Sequence, residues 1–323
     1  MKTKTLKFGL AVLPLAATLI LSALPARATL LAYDGFDYTA GTGIAGQSGG
    51  TGWIGPWISG GNFVFGTNVA GSLAYTDPQG NTLLTAGGSM VAGNWTSSSA
   101  STPSRTLANF AGETYGTNWL ANGTYWISFL AQRIGPSNAT QPYYARQGSF
   151  VMFANGNATA QGNERFDVGR PNTNNYWGTP YDTWSVWAVN GIGGYTNTSG
   201  APETTSYALN SATYVLIELV TGTTNGYLPD TAYVWFNWTN LTIQPDISTA
   251  ILVETNQVDL STINQFRFQM NGFNTVGTNA MMQVDELRIA TTFGEVAPVP
   301  EPAAVALSAL GGFALLALRR KRQ

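Results

Sequence analysis

The chain has 323 residues, is 44% hydrophobic and only 10% charged, and contains neither cysteine nor histidine. Those two absences remove disulfide staples, Ser-His-Asp triads, His-paired nucleophiles and His-ligated zinc or iron. Carboxylate chemistry, oxygen-ligated calcium and binding without chemistry remain.

The N-terminus carries Lys2, Lys4 and Lys7, an apolar run from Phe8 to Leu24, and Ala26-Arg27-Ala28 as a small-x-small cleavage site. This order predicts a signal helix over residues 1–28, removed after Ala28. Between Thr29 and Val299 there is no lysine, and seven arginines stand against sixteen carboxylates, a net charge near −9. The whole-chain figure of −2 hides this because the cations sit in the two ends. A negative domain without a basic run excludes nucleic acid as a partner.

In chain order, predicted strands are Tyr33–Tyr38, Asn62–Phe65, Tyr125–Ala131, Ser149–Phe153, Arg165–Val168, Thr183–Val189, Thr213–Thr221, Thr231–Trp238, Ile263–Met270 and Met281–Ala290. Several alternate with period two. In the run 263–270, Phe266, Phe268 and Met270 share one face and Gln265, Arg267 and Gln269 the other. Tyr214 to Val220 is apolar on both faces, as a strand in the middle of a sandwich would be. No helical pattern exceeds two turns here, and Gly, Asn and Pro punctuate the strands. The pattern predicts one all-β domain, a single jelly-roll sandwich over residues 29–296.

The C-terminal residues 299–323 have three parts: Pro300-Glu301-Pro302, an apolar run from Ala303 to Leu318, and the basic tail Arg319-Arg320-Lys321-Arg322. As a helix the apolar run is about 24 Å long, a short transmembrane helix whose basic end stays on the cytoplasmic side. This ordered set resembles the PEP-CTERM protein-sorting signal. The resemblance implies recognition by a membrane-embedded exosortase, cleavage near the motif, and delivery to the cell surface or an exopolysaccharide matrix. Before processing the chain is then tethered to the membrane.

Two further stretches carry a resemblance. Tyr33-Asp-Gly-Phe-Asp-Tyr38 with Gly46-Gln-Ser-Gly-Gly-Thr-Gly-Trp53 lies near the mature start, and Val284-Asp-Glu-Leu-Arg-Ile289 lies in the last predicted strand. These ends look like those of exported bacterial proteins with a laminin-G/concanavalin-like sandwich. That architecture implies that the first and last strands are neighbours in one sheet.

Three sets of residues are candidates for chemistry. A carbohydrate-active enzyme on such a sandwich would need two facing carboxylates. The nearest approaches, Glu164 with Asp167 and Asp285 with Glu286, have odd spacings that put each pair on opposite faces of a strand. A structural calcium could be held by Asp34, Asp37 and Asp285 if the terminal strands pair. Tyr176, Trp177 and Tyr181, in a segment rich in Asn and Gly, could stack on sugar rings as a glycan-binding surface. Of Trp184 and Trp187, whose parity differs, at most one faces the core, while Trp53 and Trp57 read as plugs in a Gly-rich loop. The sequence thus favours a non-enzymatic exported surface or matrix protein, adhesive or glycan-binding, with a glycoside hydrolase or lyase as the alternative and extracellular polysaccharide as a partner.

Overall fold

Thr213–Thr221 (β12) lies between two strands and is apolar on both sides, so it anchors the first sheet. Val215, Ile217 and Leu219 face the interior, and Tyr214 and Leu216 face a second, outer layer of packing. A strand in this position has no solvent side to keep polar. The structure is a computed structural model and describes residues 30–59, 66–92, 100–101, 103–107, 120, 123–134, 148–154, 164–169, 184–189, 195–196, 211–222, 230–255, 259–271 and 281–300.

Sixteen strands form two antiparallel sheets among the described residues. They are β1 (Leu30–Asp34), β2 (Trp53–Ser59), β3 (Gly66–Ala70), β4 (Gly88–Ala92), β5 (Ala100–Ser101), β6 (Pro103–Leu107), β7 (Gly123–Ile134), β8 (Gly148–Ala154), β9 (Glu164–Gly169), β10 (Ser185–Val189), β11 (Tyr195–Thr196), β12, β13 (Thr231–Phe236), β14 (Leu252–Thr255), β15 (Ile263–Asn271) and β16 (Met281–Ala290). The first sheet runs β14-β13-β12-β7-β16-β4-β3, with β1 also on β16. The second runs β11-β10-β9-β8-β15-β6-β2, with β5 also on β15.

The inner faces meet through rings. Phe129 of the first sheet lies 4.8 Å from Phe150 and 5.5 Å from Phe268 of the second, and Trp184 stacks on Phe236 at 5.1 Å. Each such side chain taken fully out of water stabilises the fold by roughly 1.5–3 kcal/mol. Phe266 and Phe268 face this core as their alternation requires, and Trp184 is buried in it.

The expected all-β class holds, and the first and last strands do pair: Tyr33 sits opposite Arg288, and Asp34 opposite Leu287. The first strand ends earlier than its sequence predicts. Asp34 Oδ1 accepts from the Phe36 N–H, and Phe36 takes a positive φ of 52°, which turns the chain out of the sheet. Trp53 and Trp57, expected in a loop, lie in β2: Trp53 pairs with Leu107 of β6, while the backbone of Trp57 bonds to Gly46 and Gln47. Strands β3, β4, β6 and β14 escape sequence reading because each is only four or five residues long, too short for a period of two to stand out. The predicted strand Asn62–Phe65 lies outside the described residues.

The expected signal helix and C-terminal transmembrane helix also fall on residues outside them, as do Ala26, Ala28, Glu301, Pro302, Arg319, Arg320, Lys321 and Arg322. Among the described residues no helix is long and apolar enough to cross a membrane, and the one α-helix is Phe293–Val296 (α1).

Candidate functional site

The three carboxylates expected to hold calcium are not brought together. Asp34 is buried, and its Oδ2 accepts from the Tyr38 hydroxyl at 2.7 Å, Trp57 Nε1 at 2.8 Å and the Arg105 guanidinium at 2.5 Å. Arg105 also donates to the carbonyls of Gly49 and Gly55 and lies over the Trp53 and Trp57 rings. A guanidinium therefore occupies the place a cation would take. Asp37 points into solvent.

Asp285 lies elsewhere, on the outer face of the first sheet. Strand β16 changes partner along one edge, from β4 at residues 282–284 to β1 at 287–290, and a bulge sits between. Glu286 is the extra residue there, with φ at 55°. The bulge corrects the expectation that Asp285 and Glu286 oppose each other, because both reach the loop 72–87. Asp285 Oδ2 accepts from the Leu73 N–H at 2.8 Å, and Glu286 Oε1 from the Ala86 N–H at 2.7 Å. Arg288 pairs with Glu286 at 2.6 Å, donates to the Leu84 carbonyl at 3.2 Å and lies 4.4 Å from the Tyr33 ring centre. Burial, with the Glu286 charge second, pushes the Asp285 carboxyl up to about 8. Backbone amides at Leu73 and Glu286 take the two Asp285 oxygens, and the Ala86 amide, the Tyr33 hydroxyl and Arg288 take those of Glu286. Among the described residues no group of three acidic side chains could hold a metal ion, so this donor set does not fit calcium.

Among the described residues, facing acids for glycoside cleavage are also not assembled. Asp167 shares a row with Val151 and Arg267 on the outer face of the second sheet. Glu218 shares one with Trp126 and Tyr233 on the outer face of the first. The whole sandwich separates them. Glu254 shares its row with Ala232 and Leu219, so it faces the interior. It is 2% exposed, neither oxygen has a hydrogen-bond partner, and burial pushes its carboxyl up to about 8. No sequence signal marked Glu254 or Arg105, since their surroundings come from strands distant in the chain.

The polar face predicted for β15 exists: Gln265 and Arg267 lie opposite the core-facing Phe266 and Phe268. Arg267 covers the Phe153 ring at 4.3 Å and donates to Gln269 Oε1. Tyr176, Trp177 and Tyr181 lie outside the described residues, in the connection that leaves β9 at Gly169 and enters β10 at Ser185. Those two residues are paired, two positions along from the row Ser104–Arg267–Val151–Asp167–Trp187.

The end of the described chain is built into the sandwich. Helix α1 sets Phe293 edge-on to Trp126 at 5.5 Å, and the Val296 carbonyl accepts from Ser128 Oγ at 2.7 Å and the Tyr214 hydroxyl at 3.0 Å. The Leu84 N–H donates to the Pro298 carbonyl at 2.8 Å. Val296 and Ala297 are buried, Val299 packs on the same cluster, and Pro300 is exposed. The packed unit thus runs past residue 296 to Val299.

From there the sequence continues into the tail, and residues 298–322 match the PEP-CTERM protein-sorting motif. The chain ends in a PEP-CTERM signal. The signal marks an exported protein that an exosortase, a membrane enzyme, sorts to the cell surface. The match covers the tail and not the sandwich.

Comparison with curated proteins gives no match. Among solved structures, endo-β-1,4-glucuronan lyase from the fungus Trichoderma reesei is similar over 85% of this chain and 100% of its own, at 13% identity and a TM-score of 0.45. The VIP36 exoplasmic/lumenal domain in its Ca2+/Man-bound form is similar over 74% of this chain and 84% of its own, at 9% identity and a TM-score of 0.40. The Emp46p carbohydrate recognition domain in metal-free form is similar over 65% and 85%, at 9% identity and a TM-score of 0.36. At these values the likeness carries no activity, ligand or metal over to the PEP-CTERM chain.

Proposed function

We propose that the mature protein is a non-enzymatic surface or matrix component that binds extracellular polysaccharide. It is exported through the signal peptide ending at Ala28, held in the membrane by the helix from Ala303 to Leu318, and released when the exosortase acts near Pro300-Glu301-Pro302. The observation that carries this reading is the motif match over residues 298–322. The body is a laminin-G/concanavalin-like jelly roll, and its glycan site is the 170–183 connection together with the polar row of the second sheet. Aromatic rings there would stack on sugar faces, with the half-buried Gln269 serving hydroxyls. The separation of Asp167 from Glu218 supports binding over hydrolysis.

Two measurements test this. Intact mass of the product from its native host should show loss of both ends, and a product retaining Arg319 to Gln323 would make the tail a simple anchor. Pull-down on insoluble matrix polysaccharide from that host should retain the mature protein, and the Tyr176→Ala/Trp177→Ala variant should elute at least tenfold more readily. Equal retention of the variant would reject the glycan site.

A further inference from the structure

We propose, on the reading of residues 298–322 as an exosortase substrate, that the folded sandwich withholds the start of its own sorting motif. Processing would then compete with a latch formed by residues 293–299.

The matched motif begins at Pro298, but the exposed chain begins only at Pro300. Its first two residues belong to the packed domain. The Pro298 carbonyl accepts the Leu84 N–H, and the Val299 side chain lies on the outer core cluster. Just upstream, the Val296 carbonyl takes two donors, Ser128 Oγ and the Tyr214 hydroxyl, and the Ala297 N–H returns to the Phe293 carbonyl at 3.0 Å. Leu84 is fixed on both sides, because its own carbonyl accepts from Arg288. From Pro300 to the first apolar tail residue, Ala303, the chain spans at most about 10 Å. The motif is therefore confined between the domain surface and the apolar segment.

An enzyme that engages 298–302 as extended chain must take Pro298 and Val299 off the sandwich and break the Leu84 contact. Processing breaks one backbone C–N bond, with water giving its hydroxyl to the carbonyl carbon and a proton to the departing nitrogen. Nothing in that step needs the latch, so the latch acts only on access. Its two side-chain donors come from β7 and β12, 168 and 82 residues before Val296. It can close only after those strands have paired. An unfolded domain leaves the motif free, whereas a folded one presents it at the rate at which the latch opens.

The test is a pulse-chase of precursor conversion for the full chain in its native exporting host, with Ser128→Ala, Tyr214→Phe and the double variant. Loss of one hydrogen bond should raise the open population, and hence conversion, by about fivefold, with the double variant faster again. Ser261→Ala, which removes the contact to Asp259 Oδ1 beside Leu260 of the inner cluster, away from the latch, should convert at the wild-type rate. Conversion of Ser128→Ala and Tyr214→Phe at or below the wild-type rate, with the mature domain still folded by thermal melt, overturns the latch. Glu301→Ala should block conversion in every background. Normal processing of that variant would overturn the exosortase reading itself.

Discussion

Arg105 and Asp34, 71 residues apart in the chain, meet at 2.5 Å in the interior of the sandwich, where both side chains are almost fully buried. The pair ties β6 to the turn that follows β1, and Trp57, Tyr38 and two glycine carbonyls use further hydrogen-bonding positions. Satisfied on all sides, it is a structural cation site made of protein.

Removing one partner leaves the other charged and buried. Asp34→Asn should destabilise the domain by about 3–5 kcal/mol in urea unfolding, and Arg105→Leu by a similar amount. The double variant should lose clearly less than the sum, since no uncompensated charge remains. Additive losses would show that the two side chains contribute independently.

Calcium chelation should leave the melting temperature of the mature domain unchanged within error. Asp34 is filled by Arg105, and Asp285 by two backbone amides, at Leu73 and Glu286. A calcium-dependent rise of several degrees in a scanning calorimeter would place a metal elsewhere in the chain.

Gly52 has φ at +78°, and a Cβ there would stand 1.8 Å from the Leu31 carbonyl oxygen. Gly52→Ala should therefore cost at least about 2 kcal/mol, combining left-handed strain with a backbone collision. Gly41 has a similar φ of +82° with nothing within 4 Å, so Gly41→Ala should cost only about 1 kcal/mol. Paired thermal melts compare the two directly.

Glu254 gives the domain a pH dependence of definite sign. Between about pH 4.5 and 8 the folded chain keeps a proton that the unfolded chain has released. Stability therefore falls as pH rises through that window, by up to roughly 1.4 kcal/mol per pH unit, and levels off above it. Asp285 and Glu218, pushed up to about 8 and about 7 by burial, act in the same direction. Unfolding free energies of wild type and Glu254→Gln from pH 5 to 9 isolate the Glu254 part. The variant should gain on wild type as pH rises, and parallel curves would mean that Glu254 is solvated.

By itself the sequence determined what local periodicity and order can carry. The two-faced apolar run 213–221 makes a central strand, the alternation in 263–270 splits Phe266 and Phe268 from Gln265 and Arg267, and the three ordered parts after Val299 mark the sorting signal. These need only side-chain spacing along one segment. The tertiary structure decided whatever depends on segments meeting across the chain. One inserted residue at Glu286 reversed the side-chain parity of β16 and put two adjacent acids on one face. Asp34 became the partner of an arginine because β6 is carried beside β2. Glu254 became a buried acid because β14 closes the edge of the first sheet with that residue turned inward. The first matched residues became part of the fold because the Leu84 N–H meets the Pro298 carbonyl and Val299 packs on the outer cluster. Desolvation and hydrogen bonding act through space, and no spacing along the chain encodes which distant strand will supply the partner.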